Sequence, residues 1–402
     1  MFYSRTFVVA ALALVAMGCR EKKQSDIAPA GEAKVSSAAP APAPAAGDTI
    51  WIGHVGSMSG NDAAFGQATD NGAKLAISEQ NAKNGIKGKK VALKTLDDQG
   101  KPEEAAVAAS RLITQDHVSV LIGEVASSRS LAMAPIADQN LLPMISEGST
   151  NPRVTKDGDK TRPYVFRVCY IEPFQGTVMA KFVRENLKLT KVAILRDVGN
   201  DYAVGLAQYF KTTFQKLGGE IILEQSFKSG ETDFKAQLTA IKGKNPDLIY
   251  LPGYYGEVAL IARQARELGM KQPFAGGDGW DAAPLYQIAK GALDGSYFST
   301  HFSTEDPSPV VQDFIAKYSK TYGNTPEVLA ALGYDAAKVA IDALERAKEL
   351  TGPSIREAME QTKDFKTVTG SITIDADHNP VKSSMVLTVK ENKPKYVATV
   401  DP

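Results

Sequence analysis

Short β-rich apolar runs alternate with helical patterns from residue 48 onward, and this alternation constrains the fold more than any other feature. Repeated β-α-β units of this length predict a parallel, doubly wound sheet, because parallel strands need a crossover helix between them. The pattern begins at 49–55 and begins again at 191–195, which predicts two similar α/β lobes. Strands are predicted at 49–55, 91–96, 118–122, 142–145, 191–195, 220–224, 248–251, from 274, at 371–374 and at 385–389. Helices are predicted at 66–81, 102–115, 127–139, from 202, at 232–241, 257–268, 309–322 and 326–350.

Length and charge narrow the functional class. The 402 residues are too many for one ordinary core and suit two. The formal net charge is zero, which argues against nucleic acid as a partner because phosphate binding needs clustered basic side chains. The four histidines show no metal-ligand spacing, so each is interpreted as a surface or packed residue, and no metal or other cofactor is expected. They are His54, His117, His301 and His378.

The N-terminus predicts export. Arg5 precedes an unbroken apolar run at 7–17, which is too short to span a bilayer and is typical of a signal segment. The run ends at Ala16-Met17-Gly18-Cys19, which resembles a lipoprotein cleavage box, although Leu is usual where Ala16 stands. That resemblance implies that 1–19 is a signal segment and that Cys19 receives lipid and becomes the mature N-terminus. A plain secretory signal that is cut elsewhere is the alternative.

The segment 20–47 is interpreted as a disordered tether. It is rich in Ala and Pro, and such a stretch cannot bury enough apolar surface to offset the entropy of ordering its backbone. Alternating Ala-Pro favours extended, semi-rigid conformations. A lipidated Cys19 followed by a spacer would hold a folded domain away from a membrane. Cys169 would then be the one cysteine outside the signal segment, which excludes a disulfide framework.

Polar segments follow the predicted strands of the first lobe. In an open parallel sheet, ligands bind beyond the carboxyl ends of the strands, and two lobes can present those ends to each other across a cleft. In 123–128, Ser127 suits a helix N-cap, and the helix behind it offers free N–H groups and a positive dipole end. In 146–152, Gly148 allows close backbone approach and Thr150 supplies a hydroxyl. Together these segments can bind a carboxylate by hydrogen bonds alone; ordinary capping and turn chemistry is the competing interpretation.

The second lobe offers an acidic residue and aromatic side chains. Asp278 lies between glycines after the strand that begins at 274, where it can accept from an ammonium group; a turn aspartate with no ligand is the alternative. Phe65, Tyr202, Tyr254 and Trp280 could wall a pocket for an apolar side chain, or could serve core or surface packing.

Several motifs, in the same order from about 49 to 398, resemble the leucine/isoleucine/valine-binding protein family. The resemblance implies a type I periplasmic-binding fold, with two Rossmann-like lobes joined by three crossovers and closing around one amino acid. It also implies an N-terminal lobe of 48–168 plus 299–375 and a C-terminal lobe of 169–298 plus 376–402. The motifs are Gly56-Ser57-Met58-Ser59-Gly60, 81–88, Asp97-Asp98, Ser149-Thr150-Asn151-Pro152, Phe166-Arg167, Gly253-Tyr254-Tyr255 and Gly333-Tyr334-Asp335.

The resemblance assigns roles to individual residues. Ser127 matches the serine that binds the α-carboxylate, and Asp278 falls where the family commonly has Glu for the α-ammonium. Gly148, Ser149 and Thr150 match the second loop that binds the carboxylate and ammonium groups. Tyr202 and Tyr254 match the aromatic residues that close over the ligand, and Phe65 matches an aromatic residue near the side-chain pocket.

Three departures from the family pattern bear on the ligand. Asp278 is one methylene shorter than Glu, so the ammonium geometry or the ligand size can differ. Gly100 and Ala126 stand where some members carry a disulfide. Trp280 is bulky and would change side-chain selectivity if it faced the cleft.

The resemblance implies an exported, periplasmic or cell-surface binding lipoprotein. It would capture a branched-chain or similar amino acid and deliver it to the permease of an ABC importer. A sensory receptor for amino acids or amides is the first alternative. An enzyme is the second, but no His lies near Asp278 or Ser127 in sequence, and no nucleophile elbow or phosphate loop occurs.

Overall fold

The structure, a computed structural model, describes residues 49–402. The predicted signal segment, Cys19 and the predicted tether lie outside these residues. The strands are β1 (Thr49–Gly56), β2 (Lys90–Asp97), β3 (Val120–Ile122), β4 (Met144–Ser146), β5 (Lys156–Asp157), β6 (Lys160–Thr161), β7 (Val165–Arg167), β8 (Lys191–Asp197), β9 (Glu220–Phe227), β10 (Leu248–Tyr250), β11 (Phe274–Gly276), β12 (Tyr297–Thr300), β13 (Phe365–Thr367), β14 (Gly370–Ile372), β15 (Ser384–Lys390) and β16 (Lys393–Val400). The helices are α1 (Ala63–Asn81), α2 (Pro102–Thr114), α3 (Ser127–Gln139), α4 (Glu172–Lys181), α5 (Asp201–Lys216), α6 (Lys235–Lys244), α7 (Tyr255–Glu267), α8 (Ala283–Ala289), α9 (Pro309–Tyr322), α10 (Val328–Arg346) and α11 (Gly352–Glu360).

The first lobe is built on a parallel sheet of five strands in the order β2-β1-β3-β4-β7. Helices α1 and α10 cover one face, and α2 and α3 cover the other. The central strands carry apolar residues that are buried on both faces, because each face meets a helix layer. Ile52 and Val120, for example, belong to the core under α1 and α10, and Leu121 and Met144 to the core under α2 and α3.

The second lobe is built on a seven-stranded sheet in the order β16-β15-β12-β11-β10-β8-β9. Strands β8 to β12 are parallel, whereas β15 and β16 close the edge in antiparallel fashion. Helices α4 and α5 cover one face, and α6, α7 and α8 contribute to the core on the other. The predicted doubly wound, two-lobed α/β fold is therefore confirmed.

In the part of the chain that the structure describes, three connections join the lobes: 168–171 between β7 and α4, 301–308 between β12 and α9, and 373–383 between β14 and β15. We call these three segments together the hinge. They match the three crossovers that the family resemblance implies.

Several elements differ from the sequence-based expectation. The helix predicted at 326–350 ends at Arg346, and α11 follows as a separate helix. Helix α4 was not predicted, because its buried side includes polar residues and so shows no clear apolar face in the sequence. It also contains Gly176, where a Cβ would lie only 2.7 Å from Tyr209. Strands β7 and β12 were also missed because they are short and lack the alternation of a half-exposed strand. No helix within 49–402 is long and apolar enough to cross a membrane.

Candidate functional site

The helix behind the predicted carboxylate site begins at Ser127 itself. Ala126 holds the cap position in an extended conformation, so Ser127 is the first helical residue and not the N-cap that the sequence predicted. The first N–H groups of a helix have no acceptor within the helix, and they lie at the positive end of its dipole. The buried Ser127 hydroxyl accepts a hydrogen bond from the backbone N–H of Asn151 at 3.3 Å, which ties this helix end to the neighbouring loop.

The loop 147–151 follows β4, and hydrogen bonds from a buried arginine hold it in place. Arg167 on β7 donates to the carbonyl oxygens of Ser149 at 2.5 Å and of Asn151 at 2.8 Å. The Ser149 hydroxyl donates to the carbonyl of Glu124 at 2.8 Å, so this side chain serves the scaffold and does not point to the cleft. The Thr150 hydroxyl lies 3.5 Å from a carboxylate oxygen of Glu172, at the start of α4.

Three predicted residues of the second lobe lie together at the carboxyl ends of its strands. Tyr202 is in the first turn of α5, where the Asn200 side chain accepts from the N–H of Ala203. Tyr254 precedes α7 after β10, and Asp278 follows β11. The Tyr202 hydroxyl donates to Asp278 at 2.9 Å, and its ring stacks on Tyr254 with 5.5 Å between centroids.

Two residues that the sequence did not single out also bind Asp278. The amide of Gln175 donates to Oδ1 at 2.8 Å, and Nε2 of His301 lies 3.0 Å from Oδ2. Burial lowers the pKa of His301 to about 4 although Asp278 raises it, so the imidazole is neutral at pH 7. The Asp278 side chain remains 10% exposed, toward the space between the lobes.

The facing edges of the lobes leave a narrow cavity between them. Its lining combines apolar, aromatic and acidic groups, which suits a small ligand that carries both an apolar part and a cationic group. The first lobe contributes Phe65, Val125, Gly148 and Leu329, and the second contributes Tyr202, Tyr254, Asp278 and Gly279.

Direct contacts join the two sides of this cleft. The Phe65 ring meets the Tyr254 ring edge to face, with 5.4 Å between centroids. The Ser128 hydroxyl donates to the carboxylate of Asp201 at 2.9 Å, and the Asn151 amide donates to the Asp201 carbonyl at 3.2 Å. The lobes therefore touch on several sides of the cavity.

Trp280 does not line this cavity. Its side chain is fully buried in the second lobe, where its indole N–H donates to the carbonyl of Leu251 at 3.0 Å. Gly276 makes room for it, because a Cβ there would lie 2.2 Å from the indole ring. The expectation that Trp280 walls the pocket is therefore not met, and its packing gives no reason for altered ligand selectivity.

A second, larger pocket shares Tyr254 with this cavity. An ion pair of Arg129 with Asp62 at 2.8 Å lies on its wall. Gly100 and Ala126, where some relatives were expected to carry a disulfide, also line it. Within residues 49–402, no group of three or more His, Cys, Asp or Glu side chains is arranged to hold a metal ion.

A buried charged cluster lies next to the loop that follows β4 in the first lobe. His54 lies 3.4 Å from Asp70 and 3.5 Å from Glu147, which directly precedes Gly148. Burial alone would lower the pKa of His54, but the hydrogen bonds and charges of the two carboxylates outweigh it and raise the pKa to about 9. Glu124 is also buried, and burial raises its pKa to about 8 despite the neighbouring Arg129.

Comparisons with known proteins agree with this geometry. A family model described as "Periplasmic binding protein" matches residues 49–394. The Leu/Ile/Val-binding protein BraC3 of Rhizobium johnstonii is 32% identical over 82% of this chain and 89% of its own. The leucine-binding protein LivK of Thermotoga maritima is 41% identical, with a TM-score of 0.83 over 88% of this chain and 99% of its own. LivJ of Streptococcus pneumoniae, solved with isoleucine, is 36% identical, with a TM-score of 0.83 over 88% of this chain and 100% of its own.

Proposed function

Since the chain belongs to the periplasmic binding protein family, we propose that it captures a branched-chain or similar α-amino acid between its lobes and delivers it to an ABC importer. This family consists of solute-binding proteins and is not an enzyme family. The similar protein LivJ was solved with isoleucine, which supports an aliphatic amino acid as the ligand class.

The observation that carries the proposal is the opposition of unlike polar groups across one small cavity. Asp278 supplies a carboxylate to the cavity lining from the second lobe, and Val125 and Gly148 contribute from the first. Helix α3 begins two residues after Val125, and its first backbone N–H groups and positive dipole end lie on the first-lobe side. An α-amino acid carries the complementary pair of charges. Its ammonium would bind Asp278, and its carboxylate would bind the region of Ser127 and Thr150.

The apolar part of the cavity lining supports a ligand with an aliphatic side chain. Phe65, Val125 and Leu329 surround one side of the cavity without a charged group among them. An aliphatic side chain buried there gains about 25 cal/mol per Å² of apolar surface removed from water. A ligand without an ammonium group would leave the Asp278 charge unpaired in a closed cleft, which costs several kcal/mol.

A ligand screen tests this assignment. Thermal unfolding should be measured with each of the twenty amino acids, with 4-methylpentanoate as the analogue of leucine that lacks the ammonium group, and with benzoate. We expect leucine, isoleucine or valine to raise the unfolding temperature, by an amount that grows once ligand exceeds its Kd. A shift with benzoate or 4-methylpentanoate and with none of the amino acids would reject the proposal.

Transport and sensing use the same binding chemistry, so a sensory receptor for amino acids or amides stays the second candidate. The gene neighbourhood separates the two. Adjacent genes for an ABC permease and ATPase would support transport, whereas an adjacent receptor kinase or chemoreceptor gene would support sensing.

We also propose that the protein is exported and anchored through a lipid on Cys19. The support is the apolar run that ends at this cysteine, followed by an Ala/Pro-rich segment that leads to the folded part. Mass spectrometry of the N-terminal peptide from the membrane fraction should find diacylglyceryl-Cys19 as the first residue. An unmodified N-terminus at another position would contradict the anchor and leave the ligand assignment untouched.

A further inference from the structure

His301 occupies an unusual position between the hinge and the candidate ligand site. It is the first residue after β12, in the second hinge connection, and its side chain is fully buried. On one side its Nε2 lies 3.0 Å from Oδ2 of Asp278. On the other side its ring stacks on Tyr170, with 3.6 Å between centroids and 20° between planes.

Tyr170 belongs to the first hinge connection, so the stack joins two of the three connections. The third joins them through Lys382, whose ammonium donates to the carbonyl of Val168 at 3.0 Å. Gln175, just beyond the first connection, donates to Asp278 at 2.8 Å, and its amide nitrogen also lies 3.4 Å from the Tyr170 hydroxyl. Side-chain contacts therefore link all three connections to one another, and His301 links them to Asp278.

The charge state of His301 suits a supporting role. The groups that face it are Asp278, the neutral Tyr170 and, at longer range, the cationic Lys382. Burial is the main reason that its pKa is lowered to about 4, so near neutral pH the imidazole lies beside Asp278 without adding a positive charge. A neutral imidazole in this position can donate to the carboxylate when Nε2 carries the single ring proton, and it leaves that carboxylate to pair with a ligand ammonium.

We infer that His301 is a positioning residue, which orients the Asp278 carboxylate toward the cleft and links occupation of that carboxylate to the hinge. The inference rests on the proposed function, because it assumes that Asp278 binds the ligand ammonium. When the angle between the lobes changes, the hinge connections move, and the His301–Tyr170 stack transmits that movement to the ligand contact. A ligand bound to Asp278 in turn favours the hinge arrangement in which the imidazole meets the carboxylate.

A double-mutant cycle tests this role. Binding of L-leucine and L-isoleucine should be measured by calorimetry for the wild type, His301→Leu, His301→Gln, Asp278→Asn and the double variant His301→Leu/Asp278→Asn. We expect His301→Leu to weaken binding at least tenfold, and His301→Gln to stay within about threefold of the wild type because the Gln amide replaces the Nε2 donor. In the Asp278→Asn background, His301→Leu should cost less than threefold, since its partner has lost its charge.

His378→Leu is the matched control. His378 is also a buried hinge histidine stacked on an aromatic ring, that of Phe166 at 4.0 Å, but its partners do not include Asp278. Its replacement should change affinity less than threefold. An equal loss in His301→Leu and His378→Leu, or a His301→Leu loss that persists in the Asp278→Asn background, would overturn the inference in favour of general hinge packing.

A ligand-free measurement separates failure of this inference from failure of the proposed function. Long-range ¹H–¹⁵N NMR on ligand-free wild type should show His301 as the neutral Nε2–H tautomer at pH 7, with a changed Nε2 shift in Asp278→Asn. A protonated imidazolium or an Nδ1–H tautomer would overturn the inference even if the wild type binds leucine. Because this NMR measurement uses the wild type, it tests the inference even if His301→Leu fails to fold. Unchanged leucine affinity in Asp278→Asn, by contrast, would reject the ammonium site of the proposed function.

Discussion

Asp278 sets the most direct test at the residue scale. Asn keeps the shape of the side chain and its turn propensity but removes the charge that an ammonium needs. We expect Asp278→Asn to weaken amino-acid binding by about 2–4 kcal/mol, the cost of losing one partner of a desolvated pair. Ser127→Ala should weaken it by about 1–2 kcal/mol, because a neutral hydroxyl is lost.

Calorimetry on these variants decides the point, with Asp294→Asn as the control. Asp294 lies in the second lobe, where its carboxylate accepts from the N–H of Asn392, away from the cavity. Thermal unfolding without ligand should be similar for Asp278→Asn and the wild type. An unchanged affinity in Asp278→Asn would mean that the ammonium binds elsewhere or that the ligand has none.

His54 gives a pH prediction at the same scale. Its pKa is raised from its ordinary value near 6.5 to about 9, so the folded state binds this proton more tightly than the unfolded state. The resulting stabilisation is fully present below about pH 6.5 and is lost as the pH rises through about 9. Urea unfolding should therefore show a falling free energy of unfolding between these pH values.

His54→Gln should flatten that decline, since Gln does not titrate. The variant should also be less stable than the wild type at pH 6, where the charged imidazole pairs with Asp70 and Glu147. His117→Gln, outside this cluster, serves as the control. An equal decline in wild type and His54→Gln would show that another group causes the loss.

At the scale of elements, α1 and α10 pack through glycines at a very short distance. A Cβ on Gly333 of α10 would lie 2.4 Å from the carbonyl oxygen of Thr69, and one on Gly72 of α1 would lie 2.0 Å from that of Ala330. Both contacts are with backbone, which cannot move aside as a flexible side chain can. These helices cover one face of the first sheet, so their separation also sets the position of Phe65 and Leu329 at the cavity.

Gly333→Ala should therefore destabilise the protein by about 1–3 kcal/mol through overpacking. Gly243→Ala is the matched control, because Gly243 is an exposed residue of α6 with open space around its Cβ position. That change should stabilise by about 0.5–1 kcal/mol, the usual gain of Ala over Gly in a helix. Chemical denaturation of both variants gives the comparison; equal effects would contradict the close helix contact.

At the scale of the whole molecule, the contacts between the lobes govern apparent affinity. The Ser128 hydroxyl bonds to the carboxylate of Asp201 and accepts from its backbone N–H at 3.1 Å. These bonds exist only when the lobes meet. A change that weakens them lowers the population of the closed form, and the apparent Kd rises in proportion.

We expect Ser128→Ala to reduce affinity by about 0.5–1.5 kcal/mol, the usual worth of such hydrogen bonds. The loss should lie mainly in a faster dissociation rate, as stopped-flow kinetics would show. Ser78→Ala, on the exposed face of α1, should leave both rates unchanged. A slower association rate with unchanged dissociation in Ser128→Ala would contradict this account.

The pattern of residues along the chain predicted the fold class, and it indicated the sheet edge at which a ligand is expected. Alternating strand and helix patterns are local, so they could be recognised without knowledge of contacts. The rule that parallel strands present their carboxyl ends at one edge then indicated where Ser127, Gly148, Tyr202, Tyr254 and Asp278 would lie. The structure does bring Gly148, Tyr202, Tyr254 and Asp278 to one cavity.

The directions of individual side chains depend on contacts between elements that are distant along the chain. Trp280 packs inside the second lobe instead of the cleft, where its indole N–H bonds to the carbonyl of Leu251. The Ser149 hydroxyl bonds to the carbonyl of Glu124 inside the first lobe. The donors to Asp278 lie far from it along the chain: Gln175 is 103 residues away and His301 is 23. No local pattern marks such pairs, since the contact is made by the packing of α4 and the hinge against the end of β11. The roles of the individual residues in binding a ligand stay predictions that the variants above can test.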